Sequence, residues 1–199
     1  MPSRRPRALG LVVAAAVALA GCNDDGRTLE PTSATMPPSE VPATTPADDV
    51  TGLRVTSPDV VEGGALDPAF TCDGAGLAPL LVISGAPPAA AELAVAVVDL
   101  DAADFVHLVV AGLPSTTAQV DPNQPPDGAV VARTDSDVLG WDAPCPPPGD
   151  AAHRYEIRLY AAAEPLGLAP GLPGHEAIGL IEAAAIDVAR LGFTYAAAG

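Results

Sequence analysis

The chain has 199 residues, of which 25 are acidic and nine are basic, and its formal net charge is −16. This charge argues against nucleic acid or an anionic membrane surface as a broad electrostatic partner, so any site for an anion has to be built locally from a few donors. The length is sufficient for one domain with a substantial apolar core and for further segments outside it.

The N-terminal segment has the features of an export signal. Arg4, Arg5 and Arg7 precede an apolar run that is too short for a comfortable membrane span, and this run ends in Leu-Ala-Gly-Cys at residues 19–22. The ending resembles the lipobox of bacterial lipoproteins, in which the cysteine is lipidated and the preceding peptide is removed. An ordinary secretory signal followed by an unrelated cysteine is the alternative. We predict a signal peptide over residues 1–21, lipid on Cys22, and anchoring at the extracytoplasmic face of the bacterial cell membrane.

Residues 22–50 are rich in Pro, Thr, Ser, Ala and Asp and contain no aromatic residue. Such a segment cannot bury enough apolar surface to offset the entropy lost on ordering, so we predict a disordered tether. Residues 51–199 are predicted to form a single domain. Removal of the signal peptide leaves six basic and 25 acidic side chains, which gives the mature chain a net charge of −19.

Apolar runs of strand length alternate with Gly and Pro beyond the tether, which favours a mainly β domain. The run over residues 92–101 is almost continuously apolar, as expected of a central strand that is covered on both faces. Residues 174–192 are Ala-rich with apolar residues at helical spacing, which predicts a C-terminal helix, and a last short strand is predicted over 193–198. The other predicted strands lie at residues 53–57, 80–85, 105–114 and 153–163.

Alternation along these strands places four polar side chains on faces that continue into apolar core: Asp99, His107, His153 and Tyr155. His107 is predicted to share its face with Val109 and Ala111. For any one of the four, a lone polar group that is solvated or bonded to the backbone is the alternative. Four such groups in a chain with three histidines and three tyrosines indicate one polar pocket.

The cysteine count favours one bridge. If Cys22 carries lipid, Cys72 and Cys145 remain, and an even remainder in an exported domain suggests a disulfide. Two separate buried thiols are the alternative, because sequence alone does not show that the two residues meet.

Five segments together resemble the phosphatidylethanolamine-binding proteins, in the bacterial branch of Raf kinase inhibitor-like proteins of the YbhB/YbcL type. They are TCDG at residues 71–74, VVDLDA at 97–102, VHLVV at 106–110, APCPPPG at 143–149 and HRYEIRLYA at 153–161. These segments follow the order and spacing of the family between Val55 and Tyr195. The resemblance implies a β-sandwich of two antiparallel sheets with short flanking helices and a small anion-binding pocket at one end.

Carried over residue by residue, the resemblance implies a ligand-binding set of Asp99, Asp101, His107, Pro144, Pro146, His153 and Tyr155. The two aspartates correspond to the acidic pair of the family's DPDAP motif, and the two prolines to a stiff loop that lines the pocket. In this chain the motif reads DLDAA, and Phe105 or Val106 replaces the tryptophan usual near the family's histidine. His175 does not fall on the family's C-terminal histidine, and we expect it to lie outside the site.

These residue types suit the binding of small anions, because imidazoles and a phenol can donate hydrogen bonds to phosphate-type oxygens while Asp99 orients a histidine. We therefore expect a lipid-anchored binding protein for a small anionic or phosphorylated ligand, with no cofactor and no nucleic-acid partner. The alternative is an interaction protein that inhibits an exported hydrolase or another enzyme. Catalysis is not expected, since no Ser or Cys lies beside a histidine in a nucleophile motif. No bound metal is expected either, because the spacing of Asp99, His107 and His153 matches no zinc motif.

Overall fold

The computed structural model describes residues 52–198. The predicted signal peptide (1–21), the predicted tether (22–50) and the lipidation predicted at Cys22 lie outside these residues. Within the described range, no helix is both long enough and apolar enough to cross a membrane.

The described part of the chain consists mainly of β-strands. In chain order its elements are β1 (Arg54–Thr56), a 3-10 turn (Pro68–Phe70), β2 (Leu81–Ser84), β3 (Glu92–Asp99), β4 (Phe105–Pro114), β5 (Gln119–Val120), β6 (Val130–Val131), β7 (His153–Ala162), α1 (Gly174–Ala184) and β8 (Ala185–Tyr195). The five strands predicted from apolar runs are all present. β5 and β6 were not predicted, because two residues are too few to produce a recognisable alternation.

The strands form two antiparallel sheets. One has three strands in the order β1-β2-β5, and the other has five strands in the order β6-β4-β3-β7-β8. β3 lies at the centre of the larger sheet and pairs with β4 on one side and with β7 on the other. This arrangement confirms the predicted sandwich of antiparallel sheets.

The two faces of β3 pack against different layers, which explains its almost continuous apolar sequence. Residues 93, 95 and 97 pack in one cluster with Val55, Leu81 and Ile83 of the three-stranded sheet. Residues 94, 96 and 98 pack in a second cluster with Ile178 and Ile181 of α1. Asp99 continues the first row, so its buried carboxylate lies at one end of the core between the sheets.

The predicted helix over residues 174–192 is wrong in its second half. α1 ends at Ala184, and Ala185–Tyr195 form β8, which pairs with β7 over its whole length. The hydrogen-bonded ladder outweighs the modest helix preference of an Ala-rich segment, because it also buries three large side chains in the core. These side chains are Leu191, Phe193 and Tyr195.

Candidate functional site

One end of the five-stranded sheet contains a small cavity of about 170 Å³, lined by both polar and apolar side chains and here called the ligand pocket. Asp99 is the last residue of β3, His153 is the first residue of β7, and Tyr155 lies opposite Asp99 in the β3–β7 ladder. Antiparallel pairing therefore brings the end of one strand to the beginning of the next. Of the residues in the predicted ligand-binding set, five line this cavity: Asp99, His107, Pro146, His153 and Tyr155.

His107 reaches the ligand pocket through a β-bulge. Its two chain neighbours oppose consecutive residues of β3, so His107 is an extra residue in the β3–β4 ladder. The prediction that it shares a face with Val109 and Ala111 is wrong, because these two residues pack toward α1. The His107 ring instead lies against Tyr155, with 5.4 Å between the ring centroids. An extra residue changes the direction of the side chains around it, which a strict alternation cannot foresee.

Asp99 and His153 form the central polar pair of the pocket. The Asp99 side chain is only 5% exposed, and its Oδ2 lies 2.7 Å from Nδ1 of His153. The other oxygen, Oδ1, accepts a hydrogen bond from the backbone N–H of Asp101 at 2.9 Å. Both carboxylate oxygens are thus engaged. Asp99 holds the His153 ring with Nδ1–H toward the carboxylate, which leaves Nε2 for a ligand.

His107 and Tyr155 provide two further polar groups with defined protons. His107 Nδ1 lies 2.7 Å from the carbonyl oxygen of Asp142, so this nitrogen carries the hydrogen and donates it. Burial lowers the pKa of His107, which leaves its ring neutral near physiological pH with Nε2 as an acceptor. The buried Tyr155 hydroxyl has no hydrogen-bond partner among the described residues. Burial, followed by the charge and the closeness of the Asp99 carboxylate, raises the pKa of Tyr155, so the phenol keeps its proton. The hydroxyl makes no hydrogen bond of ordinary geometry to Asp99 and can donate to another group.

Asp101 lies outside the cavity, unlike the position implied by the family motif. Its carboxylate accepts hydrogen bonds from Arg154: from the backbone N–H at 2.7 Å, from Nε at 3.0 Å and from Nη2 at 2.7 Å. These contacts lower the pKa of Asp101 to about 2. Because Arg154 directly follows His153, the ion pair fixes the turn after β3 to the start of β7 and thereby positions the Asp99–His153 pair.

The proline-rich segment forms one wall of the ligand pocket. Pro146 lines the cavity, whereas Pro144 is buried behind the wall, where its carbonyl accepts the backbone N–H of Cys72 at 3.1 Å. The predicted disulfide is present, and it joins Cys72 to Cys145 with their Cα atoms 5.4 Å apart. Cys145 also lines the cavity, so the bridge ties this wall to the segment that follows the 3-10 turn.

Several wall residues were not predicted from the sequence: Ala102, Phe105, Ser136, Asp142, Ala143 and Pro147. The Phe105 ring lies 4.9 Å from the His107 ring between centroids, so Phe105 supplies an aromatic ring beside this histidine. Asp142 is the most informative of them, because its Oδ2 is buried and has no hydrogen-bond partner among the residues described. The feature of the sequence that could have indicated Asp142 is its position as an acidic residue directly before the stiff APCPPPG segment.

His175 lies away from the ligand pocket, as predicted. It is the second residue of α1, its side chain is 57% exposed, and its Nε2 lies 3.0 Å from Oδ2 of Asp135. Residues 52–198 contain no group of three or more His, Cys, Asp or Glu side chains arranged to hold a metal ion.

Comparisons with known proteins agree with this architecture. The family model described as phosphatidylethanolamine-binding protein matches residues 56–196. The chain is 36% identical over 186 residues to the lipoprotein LppC of Mycobacterium tuberculosis, which covers 92% of either chain. It is 32% identical over 121 residues to the UPF0098 protein YbcL of Escherichia coli, covering 56% of this chain and 63% of that protein.

Two crystal structures have the same fold. That of E. coli YbcL, described as a new member of the mammalian PEBP family, superposes with a TM-score of 0.70 at 26% identity and covers 74% of this chain and 99% of its own. That of the phosphatidylethanolamine-binding protein homolog CT736 from Chlamydia trachomatis gives a TM-score of 0.67 at 25% identity, with the same coverage.

Proposed function

The chain belongs to the phosphatidylethanolamine-binding protein family, and from this premise we propose that its ligand pocket binds a small oxyacid of the phosphate type. The observation that carries the proposal is the buried Tyr155 hydroxyl, which has no partner among the described residues and lines the same cavity as the Asp99–His153 pair. A buried polar group without a partner costs about 1–3 kcal/mol. A ligand oxygen that accepts the Tyr155 hydrogen would recover this free energy.

The hydrogen-bonding groups of the pocket restrict the ligand further. Tyr155 is a donor, and His153 becomes a donor at Nε2 when its ring is protonated, since Nδ1–H stays on Asp99. In contrast, Nε2 of neutral His107 and Oδ2 of Asp142 are acceptors. A fully deprotonated dianion would face these two acceptors with no proton between them, which is unfavourable in a buried site. The preferred ligand therefore carries both an anionic oxygen and an O–H group, as dihydrogenphosphate, hydrogenphosphate and the monoanion of a phosphate monoester do.

Binding should strengthen as the pH falls to mildly acidic values. The mature chain has a predicted net charge of −19, which repels anions in general. A proton added to the His153 ring supplies a positive charge and an N–H donor at Nε2. Acidification also converts inorganic hydrogenphosphate into dihydrogenphosphate and a phosphate monoester into its monoanion, so the ligand carries more protons and less charge. Both changes favour the same complex.

Calorimetric titration with inorganic phosphate and with sulfate tests this proposal. The two ions have the same tetrahedral shape, but sulfate carries no proton near neutral pH. We expect phosphate to bind more tightly at about pH 6 than at about pH 7.5, and sulfate to bind at least roughly tenfold more weakly. Tyr155→Phe keeps the ring and removes the hydroxyl, so it should weaken phosphate binding by about tenfold, or about 1.4 kcal/mol.

Two histidine variants provide the matched comparison. His153→Ala should weaken phosphate binding by more than about tenfold, because it removes a donor to a charged ligand. His175→Ala removes an exposed histidine outside the pocket and should bind like the wild type. If phosphate does not bind, or if neither His153→Ala nor pH changes its affinity, the pocket proposal fails and inhibition of another protein takes its place. Equal affinities for phosphate and sulfate would refute the requirement for a protonated ligand.

Proteins of this family are generally binding proteins, and the expectation that this chain is not an enzyme stays a prediction.

We propose further that lipid on Cys22 anchors the domain outside the cytoplasmic membrane, which is supported by the lipobox order and by the similarity to lipoprotein LppC. Radiolabelled palmitate should enter the wild type and Cys72→Ser, which keeps the lipobox intact. It should not enter Cys22→Ser, which should also lose the mature membrane-bound form. Equal labelling of all three would contradict the anchor.

A further inference from the structure

A second cavity, here called the Trp141 groove, adjoins the segment that walls the ligand pocket. It has a volume of about 720 Å³, and among the described residues it shares no lining residue with the pocket. Leu139, Gly140 and Trp141 line the groove, while the next two residues, Asp142 and Ala143, line the pocket. Small-molecule sites usually have volumes of about 300–1,000 Å³, so the groove is large enough for a ligand of its own.

Much of the groove wall is apolar. It includes the rings of Pro122, Pro125 and Trp141 and the side chain of Leu139. Leu139 is 57% exposed, which is high for a large aliphatic residue in a concave surface. Covering these rings and this side chain with an apolar ligand removes their surface from water and is favourable. The walls therefore select a ligand with an aromatic or aliphatic body.

The free polar side-chain groups of the groove are donors. The side-chain amide of Asn123 is fully engaged by Ala78 and Asp121. Nε1 of Trp141 is buried and has no partner among the described residues. Arg133 uses Nη1 for the backbone oxygen of Asp137 at 3.0 Å and for its carboxylate at 3.1 Å, whereas its Nε and Nη2 make no hydrogen bond to another described residue. A ligand that matches these groups supplies an acceptor, and opposite a guanidinium the best acceptor is an anion.

We propose that the Trp141 groove binds apolar monoanions, in which an aromatic or acyl body is joined to one carboxylate or sulfonate group. The acidic group accepts hydrogen bonds from the free edge of Arg133, and the apolar body lies against Trp141, Leu139 and the proline rings. Asp137 already neutralises part of the guanidinium charge, so one negative charge on the ligand is a better match than two.

Trp141 is the only tryptophan of the chain, so its fluorescence reports the binding of a probe near this end of the domain. Its ring also lies 6.5 Å from the His107 ring between centroids, so the variants below are needed to locate the probe in the groove. Two probes share one aromatic body: anilinonaphthalene sulfonate carries an anionic group, and phenylnaphthylamine carries none. Titrating each probe into the full-length exported protein should quench Trp141 emission by energy transfer. The sulfonate probe should bind about tenfold more tightly than the neutral probe, because it adds hydrogen bonds to a charged donor. The predicted net charge of −19 of the mature chain opposes this preference, so it requires a local cation.

Variants separate the charge contact from the apolar contact. Arg133→Gln should abolish the preference for the sulfonate probe, and Arg133→Lys, which keeps a cation, should retain most of it. Arg54→Gln, at an exposed arginine of β1 that does not line the groove, should behave like the wild type. Leu139→Ser should weaken both probes by the same factor.

Three results would overturn the proposal: no quenching of Trp141, equal binding of the two probes to the wild type, or a preference that survives Arg133→Gln. His153→Ala should leave both affinities unchanged, because His153 lines only the ligand pocket. A loss of probe binding in His153→Ala would place the probe in the ligand pocket and would also overturn the proposal. Because no step depends on phosphate binding, this test and the phosphate titration can fail independently.

Discussion

Removal of the Cys72–Cys145 disulfide should destabilise the domain and loosen the ligand pocket together. The bridge joins residues that are 73 positions apart in sequence. In the chain-entropy model, opening a loop of this length lowers the free energy of unfolding by about 4 kcal/mol. This is a large share of the roughly 5–15 kcal/mol that stabilises a typical domain. For a domain of about 150 residues it corresponds to a fall in Tm of roughly 8–16 °C.

The disulfide also has a local effect on the pocket. Cys145 lines the cavity, and the backbone N–H of Cys72 donates to the carbonyl of Pro144 at 3.1 Å. The covalent bond and this hydrogen bond therefore tie the proline wall at one place. Without the disulfide, the proline-rich segment has more conformations available, and the hydrogen bond alone has to keep it in place. Phosphate affinity should then fall even under conditions in which the variant is fully folded.

Urea unfolding of the exported wild type and of the double variant Cys72→Ser/Cys145→Ser measures the first effect. Chemically reduced wild type should match the double variant and serves as the control without substitution. A decrease in unfolding free energy of roughly 1 kcal/mol or less would refute the magnitude derived from loop closure. Calorimetric titration of the folded double variant measures the second effect. Wild-type phosphate affinity in that protein would show that the bridge does not position the wall.

Two further predictions concern the turn and the strand next to the pocket. Burial lowers the pKa of His107, so this histidine binds a proton more readily in the unfolded chain than in the folded chain. The free energy of unfolding should therefore fall as the pH drops below about 6.5, the ordinary pKa of histidine. His107 should contribute at most about 1.4 kcal/mol per pH unit to this fall. His107→Gln keeps an N–H donor for the Asp142 carbonyl and should flatten this decline, which urea unfolding at a series of pH values measures. An equal decline in the wild type and in His107→Gln would show that His107 is not its cause. Ala103 has a left-handed φ of 56°, so Ala103→Gly should raise the unfolding free energy by about 1 kcal/mol. Ala102 does not have a positive φ, so the control variant Ala102→Gly should lower the unfolding free energy. Thermal unfolding of the wild type and of the two glycine variants tests this prediction. A lower Tm for Ala103→Gly than for the wild type would show that the backbone at Ala103 is not strained.

Alternation in the sequence was sufficient to place Asp99 and Tyr155 on the core-facing side of their strands, and the reason lies in the β3–β7 ladder. This ladder runs from Glu92 to Asp99 without a shift in register, so every second residue stays on one face and Asp99 lies opposite Tyr155 as the pattern requires. The β3–β4 ladder contains two shifts, and one of them is at His107. His107 was thus correctly expected in a polar pocket but assigned to the wrong face of its strand. The proline wall was expected only from the family resemblance.

The remaining features depend on contacts between distant parts of the chain, which a local pattern cannot reveal. The exposed position of Asp101 follows from its pairing with Arg154, 53 residues away. Asp142 lies in the wall of the pocket because its carbonyl oxygen accepts a hydrogen bond from His107, which is 35 residues earlier in the chain. The strand over Ala185–Tyr195 replaces the second half of the predicted helix because a free edge of β7 is there to pair with it.

The disulfide connects the predicted export of this chain with its proposed binding. Such bonds form and persist in oxidising compartments and are rare where thiols are kept reduced. Cys145 is at once a bridged residue and a wall of the ligand pocket, so we expect reduction of the bridge to change the shape of the pocket. If the same chain were retained in a reducing compartment, it would have a looser proline wall and a weaker site. Export would then do more than place the protein at the membrane, because it would also complete the geometry in which Asp99, His153 and Tyr155 meet their ligand.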